Sequence, residues 1–256
     1  SCLAQGGLEA CYQPVMCLKS RCLVGFEALA RWRHPELGKL SPDKFISLAE
    51  ESGLIHPLGE SIFRRACEDF SKWLELPGAA NLMLSVNLSG HQLDEAGFIK
   101  SFRSILQETG IDPCRMKLEL TESTIMTRQE IRTGRLRKLR DMGMQIMIDD
   151  FGTGYTSLAH LRNLPVNYLK IDRSFISGDK SKDMEAIVRA VISMSQNLGL
   201  SVVAEGVERL EELEFLAAHN CDLAQGFFFS PPLDHDQAAA FILRHGNNGS
   251  PLLPTP

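Results

Sequence analysis

Apolar residues along this chain recur with two periods that take turns. Short runs of continuous or alternating apolar character predict eight strands, at 12–18, 23–30, 82–88, 116–120, 144–148, 168–171, 201–204 and 223–229. Between the later runs, apolar residues three and four positions apart predict helices around 97–109, 128–142, 184–198 and 211–219, with a shorter one near 156–164. Only Lys19 to Cys22 separates the first two strands, too little for a parallel crossover, so they are predicted to pair as an antiparallel hairpin. Two helices follow the second strand. The first begins at Ser41-Pro42-Asp43, with Ser41 as N-cap and Pro42 at the first helical position, and is predicted to carry Phe45, Ile46, Leu48 and Ala49 inward. The second, over 59–76, spaces Ile62, Phe63, Ala66, Phe70, Trp73 and Leu74 along one face and stops at Pro77-Gly78. Strands alternating with helices imply a parallel sheet covered on its faces, and eight of them imply closure. The predicted fold is α/β, a modified TIM-type (β/α)8 barrel with one antiparallel strand from the N-terminal hairpin.

Composition narrows the partners more than the fold. A length of 256 residues admits one large domain or two small ones, and 44% hydrophobic residues can bury a sizeable core. The net charge of −5 argues against DNA or RNA polymers as partners. The Arg/Lys-rich helix over 128–140 fits that view as a solvated face, with Ile131, Leu136, Leu139 and Met142 as its core stripe. The seven cysteines are scattered and form no Cys-x-x-Cys pair, and no His-x-x-x-His spacing occurs, so oxygen ligands are the place to look for a metal. A reducing compartment is expected, and no apolar stretch approaches the roughly 18 residues of a membrane span. The chain opens on Ser1 rather than Met and is expected to be a segment of a longer protein. Residues 246–256, with Asn-Asn-Gly-Ser and three prolines, read as a disordered tail or linker after a domain over 1–245.

The chemistry gathers at the strand ends. The run from Met144 to Ile148 ends in Asp149-Asp150, followed by Phe151-Gly152-Thr153-Gly154-Tyr155. Adjacent carboxylates at the mouth of a core repel unless protons or cations compensate them; the alternative is an Asp-rich turn whose side chains bond nearby backbone N–H groups. Most other strands also carry a polar residue at or near their C-terminal ends: Glu27, Asn87, Glu119, Lys170, Glu205 and Gln225. Barrel enzymes place their chemistry at that rim. Period-two alternation puts Leu169 and Ile171 on one face and Lys170 and Asp172 on the other, which is predicted to face the barrel axis. Glu27, Leu29 and Arg31 likewise share a face. Singly, each could belong to a structural ion pair. Several carboxylates converging with one inward lysine leave excess negative charge, for which hard divalent cations are the usual remedy, and carboxylates with the Asn87 carbonyl favour Mg²⁺ or Mn²⁺ over zinc.

Seven motifs in order give the chain a family resemblance: Glu27-Ala28-Leu29-Ala30-Arg31-Trp32, Val86-Asn87-Leu88-Ser89, Glu119-Leu120-Thr121-Glu122-Ser123, Asp149-Asp150-Phe151-Gly152-Thr153-Gly154-Tyr155, Leu169-Lys170-Ile171-Asp172, Ala204-Glu205-Gly206-Val207-Glu208 and Gln225-Gly226-Phe227. The chain closely resembles the EAL domains of bacterial cyclic di-GMP phosphodiesterases. That resemblance implies two Mg²⁺ or Mn²⁺ ions, one on Glu27, Asn87, Glu119 and Asp149, the other on Asp149, Asp150 and Glu205, with Asp149 bridging. It implies Lys170 or Glu205 as the group that activates water, with Gln13, Leu29, Arg31, Gln225 and the segment around Phe227 and Phe228 meeting the ligand. Glu122, Asp172 and Glu208 would orient the site, and Gly152 and Gly154 would shape a loop that links it to dimer contacts. The implied reaction is hydrolysis of cyclic di-GMP to linear 5′-pGpG; the alternative is a non-catalytic cyclic di-GMP receptor module. A homodimer, fusion to sensory or GGDEF-type domains, and a location in the bacterial cytoplasm, alone or as the cytoplasmic part of a larger protein, are also implied. Asn167, Thr156, Asn220 and Pro231 depart from the family pattern, and none is an expected metal ligand.

Overall fold

The computed structural model describes residues 7–34, 37–152, 161–176 and 182–246. Among the described residues nine strands are present: β1 (Leu8–Cys17), β2 (Leu23–His34), β3 (Gly38–Leu40), β4 (Met83–Asn87), β5 (Met116–Thr121), β6 (Gln145–Phe151), β7 (Tyr168–Ile171), β8 (Ser201–Ala204) and β9 (Leu223–Ala224). They hydrogen-bond in the order β1-β9-β8-β7-β6-β5-β4-β2-β3, and a further β1–β2 pairing closes all but β3 into a barrel. β1 runs antiparallel to both its neighbours, β2 and β9, whereas the pairs from β2–β4 round to β8–β9 are parallel. The reversed strand is therefore the first of the hairpin, as the short 19–22 connection required. Short β3 extends the far end of β2 outside the barrel.

Burial on both strand faces explains the apolar runs. Leu84, Val86, Leu118, Leu120, Ile146, Ile148, Leu169, Ile171 and Val202 point outward into one continuous core beneath the helices. Inside, Val15, Met147, Val203 and Leu223 form a separate apolar plug towards the strands' N-terminal ends. The barrel is thus a packed core that leaves the opposite rim for polar groups.

Several predicted elements shift in instructive ways. The helix from Pro42 ends at Glu51 and buries Phe45 and Ala49, but Leu48 is 62% exposed. The next helix, Ile55–Trp73, starts a turn earlier than predicted because Pro57 falls in its first turn, where a missing N–H costs nothing. In Gln129–Asp141, Leu136 and Leu139 face the core while Ile131 is 58% exposed. The basic face of that helix is not wholly solvated: Arg132 is buried and grips Asp94 through Nε (3.1 Å) and Nη2 (2.9 Å). The strand predicted over 223–229 ends at Ala224, since Gly226 adopts φ +156° and a Cβ there would lie 2.1 Å from the Val207 carbonyl oxygen.

Among the described residues, the short helices Gly90–Asp94, Glu122–Met126 and Arg173–Ile176 were not anticipated, nor was the longer His235–His245, although Asp234 and Gln237 carry a full capping box. That last helix packs on β1 and on the helix Ile55–Trp73, where His235 stacks on Trp73 at 5.5 Å. The helix predicted near 156–164 and the tail over 246–256 fall largely outside the described residues. Among the described residues, no helix is long and apolar enough to cross a membrane.

Candidate metal centre and active site

The alternation that seals the barrel also builds its mouth. Inward positions on β2, β5 and β7 bear Glu27, Glu119 and Lys170, and Gln225 directly follows β9; each is nearly inaccessible to solvent. Lys170 is the hub. Its Nζ lies 3.0 Å from Glu27 Oε2, 3.0 Å from Glu119 Oε2, 3.4 Å from Asp149 Oδ1 and 3.6 Å from Glu205 Oε2. Burial opposes a charged amine, but these carboxylates outweigh it and hold the Lys170 pKa well above its ordinary value.

The carboxylates are not equivalent. Glu27 accepts from Asn87 Nδ2 (2.7 Å), Gln225 Nε2 (2.7 Å) and Lys170, and these partners overcome burial to keep its pKa below the ordinary value. Glu119 is pushed up to about 8 by burial and by the neighbouring Glu27. Burial raises Glu205 to about 7, and burial with the Asp149 and Asp172 charges raises Asp150 to about 6. One ammonium faces more carboxylates than it can neutralise.

Two features fit a cation. Oxygens of Asp149, Asp150 and Glu205 lie within 4.8 Å of one another, a group that could hold a metal ion. Glu119 Oε1 is buried and accepts no hydrogen bond, an arrangement that is expensive unless a donor or an ion fills it. Asp150 also holds φ +53°, a left-handed conformation that a non-glycine residue adopts at a cost. The donors are all hard oxygens, as Mg²⁺ or Mn²⁺ prefers.

The predicted site residues separate into those at the mouth and those beside it. Gln13 is buried opposite Glu27 in the β1–β2 register. Leu29 and Arg31 continue up β2, half-buried, and Arg31 Nη1 donates to the Ala30 carbonyl at 2.8 Å. Asn87 is at the open rim. Glu122 Oε2 accepts from the Gly152 N–H at 3.3 Å, tying the end of β5 to the turn after Asp150. Gly152 has φ +102°, and a Cβ there would crowd the Phe175 ring at 3.1 Å. Asp172 accepts from the Ser174 backbone N–H at 3.0 Å, and its charge helps raise the Asp150 pKa. The Glu208 side chain is exposed; its backbone N–H donates to Glu212, and it reaches no predicted ligand among the described residues. Gly154 lies outside the described residues.

Two further points concern the rings after Gln225 and the lysines inside the barrel. Phe228 is half-buried against Phe229, whereas Phe227 stands 63% exposed just past Gln225. Lys170 is not the sole inward lysine: Lys117, two residues before Glu119, is buried with its ammonium 4.0 Å from the Tyr168 ring centroid. Burial lowers its pKa to about 8. The alternation of Lys117 with Glu119 carried the signal for it.

The EAL domain family matches this chain over residues 2–232. The chain belongs to the EAL domain family. This EAL domain is 42% identical over 248 residues to the cyclic di-GMP phosphodiesterase NbdA of Pseudomonas aeruginosa, covering 96% of the chain and 31% of that protein. It is 40% identical over 232 residues to the bifunctional diguanylate cyclase/cyclic di-GMP phosphodiesterase MucR of the same organism, covering 90% of the chain and 34% of that protein. The EAL domain therefore spans about a third of the length of the curated relatives it matches. Among solved structures, the PaMucR phosphodiesterase in complex with c-di-GMP superposes with a TM-score of 0.88 at 40% identity, covering 93% of this chain and 96% of that one. The EAL domain of Mycobacterium smegmatis DcpA superposes with a TM-score of 0.77 at 34% identity, with coverage of 93% and 96%.

Proposed function

We propose that this EAL domain hydrolyses cyclic di-GMP to linear 5′-pGpG with the help of two divalent cations, Mg²⁺ or Mn²⁺. The observation that carries the reading is the intact acidic cluster around Lys170, with the orphaned Glu119 Oε1 and the Asp149, Asp150 and Glu205 oxygens within 4.8 Å of one another. The likeness to proteins named as cyclic di-GMP phosphodiesterases supports the choice of substrate. Glu27, Asn87, Glu119 and Asp149 would hold one ion, and Asp149, Asp150 and Glu205 the other. Such ions supply Lewis acidity and neutralise charge on the phosphate oxygens.

The chain's own groups divide the remaining work. Arg31 offers a guanidinium fork that suits a phosphate, and exposed Phe227 offers a face for a guanine. Lys170, whose ammonium the surrounding carboxylates favour, would donate to the attacking water and hold it. Glu205, whose side chain is more open than the other carboxylates around Lys170, is the accessible acceptor for the water's proton. Water's oxygen bonds to phosphorus, the bond to the ribose 3′ oxygen breaks, and that oxygen leaves with a proton. Domain limits of 1–245, a homodimer and fusion to GGDEF-type or sensory domains are part of the same proposal; the MucR likeness supports the fusion.

The test is incubation of the purified chain with cyclic di-GMP and Mg²⁺ or Mn²⁺, with Glu27→Ala in parallel. Formation of pGpG by the natural chain and none by the variant is expected. Tight binding without pGpG would instead make the domain a receptor, and near-normal turnover in Glu27→Ala would sink the ion assignment.

A further inference from the structure

The barrel has a second polar cavity at the end opposite the carboxylates. It measures about 430 Å³ and is lined by the first residues of three strands, Gln145 of β6, Tyr168 of β7 and Ser201 of β8, with Asn167, Arg140 and Arg162 around them. Strand starts and strand ends lie on opposite faces of a parallel barrel, so this cavity is separated from the mouth by the length of the strands, roughly 13 Å for four residues. Its volume falls in the range of about 300–1,000 Å³ typical of small-molecule sites.

Three observations give it chemistry. Arg140 and Arg162 both border the cavity, and neither makes an ion pair or hydrogen bond among the described residues. Gln145 Oε1 is buried and accepts no hydrogen bond, although the neighbouring Asn167 Oδ1 is satisfied by the Ile146 N–H at 3.0 Å. A buried acceptor without a donor is costly, so a ligand donor there would recover that cost. Arg140 and Arg162 are both exposed at the cavity's edge, and guanidinium forks suit the several oxygens of a phosphate. The ligand that satisfies all three carries a phosphate at one end and an N–H or O–H donor at the other.

We infer that the cavity between the starts of β6, β7 and β8 is a binding site for a small phosphorylated molecule, held by Arg140 and Arg162 and read by the Gln145 amide oxygen. The inference is independent of catalysis at the mouth. A small molecule is favoured over an acidic protein segment because the cavity is concave and its unpartnered acceptor is buried.

The experiment titrates the purified chain with GMP and with inorganic pyrophosphate by calorimetry, in chelating buffer so that the metal-free, acidic mouth repels anions. Saturable one-to-one binding of at least one probe is expected, with guanosine failing to compete. Arg140→Gln and Arg162→Gln should each weaken it at least about tenfold, as loss of a charge-assisted hydrogen bond implies, with unchanged thermal unfolding. Arg31→Gln, at the mouth, should leave it unaltered. Absence of saturation with both probes, equal competition by guanosine, or full affinity in both cavity variants would overturn the inference; loss in Arg31→Gln would move the binding to the mouth and overturn it as well.

Discussion

Replacing Lys170 with Met removes the one cation at the centre of the carboxylate cluster while keeping most of its volume. In the metal-free protein, Glu27, Glu119, Asp149 and Glu205 then face one another without it, from a starting geometry of 3.0 to 3.6 Å to the lost ammonium. Glu27 is the residue most affected, because Lys170 is the charge that keeps it ionised against complete burial. Without that charge it must bind a proton to stay folded in place. Each carboxylate forced to do so costs about 1.4 kcal/mol per pH unit above its unfolded pKa, because the folded state now binds a proton that the unfolded state has released. Between about pH 5.5 and about pH 8 one such group adds about 3 kcal/mol of destabilisation, which shifts a urea midpoint by about 1 M if the slope is about 3 kcal/mol per M. The assay is urea unfolding of both proteins with a chelator present, across that range. The gap between natural chain and variant should widen steadily as pH rises. A gap that stays flat, or closes, would show that Lys170 does not compensate the cluster.

Other expectations follow from neighbouring groups. Lys117→Met should stabilise the protein below about pH 8 by about 1–3 kcal/mol: the folded pKa of about 8 lies below the ordinary 10.5, so the folded state resists the charge, and the benefit should fade between those values. A lower midpoint for this variant at neutral pH would contradict the burial of that ammonium. Because Glu119 and Glu205 are raised to about 8 and about 7, Mn²⁺ binding should release protons near neutral pH and tighten as pH rises through that range; calorimetry in buffers of different ionisation enthalpy reads this directly, and heats independent of buffer would refute it. Phe227→Ala should raise KM for cyclic di-GMP about tenfold with kcat little changed, as loss of one base–aromatic stack implies; an unchanged KM would remove Phe227 from the site.

The barrel was legible because its strands obey two constraints at once. Outward residues such as Leu118 and Leu120 must be apolar to pack beneath helices, while the inward alternates Lys117 and Glu119 are free to carry charge near the mouth. Alternation therefore revealed both the strands and the polar rim, and the short connection at 19–22 revealed the reversed strand. The failures have the opposite cause. Phe227, Phe228 and Phe229 read as strand, but Gly226 turns the chain out of the ladder, a backbone event that hydrophobicity does not record. Leu48 and Ile131 fit a helical stripe by spacing yet sit past its edge, in solvent. Arg132 looked like surface charge because its partner, Asp94, is distant in sequence. At the rim, the gathering of polar residues was legible but their inequality was not: only packing shows that Glu27 is held ionised while Glu119 is pushed towards its neutral form.

The most direct measurement of the central claim is product analysis after cyclic di-GMP is incubated with the purified chain, first with Mn²⁺, then with excess chelator, then with Mn²⁺ restored. The acidic cluster around Lys170 predicts pGpG in the first and third conditions and none in the second. Turnover that persists undiminished in chelator, or no pGpG in any condition despite saturating substrate, would contradict it.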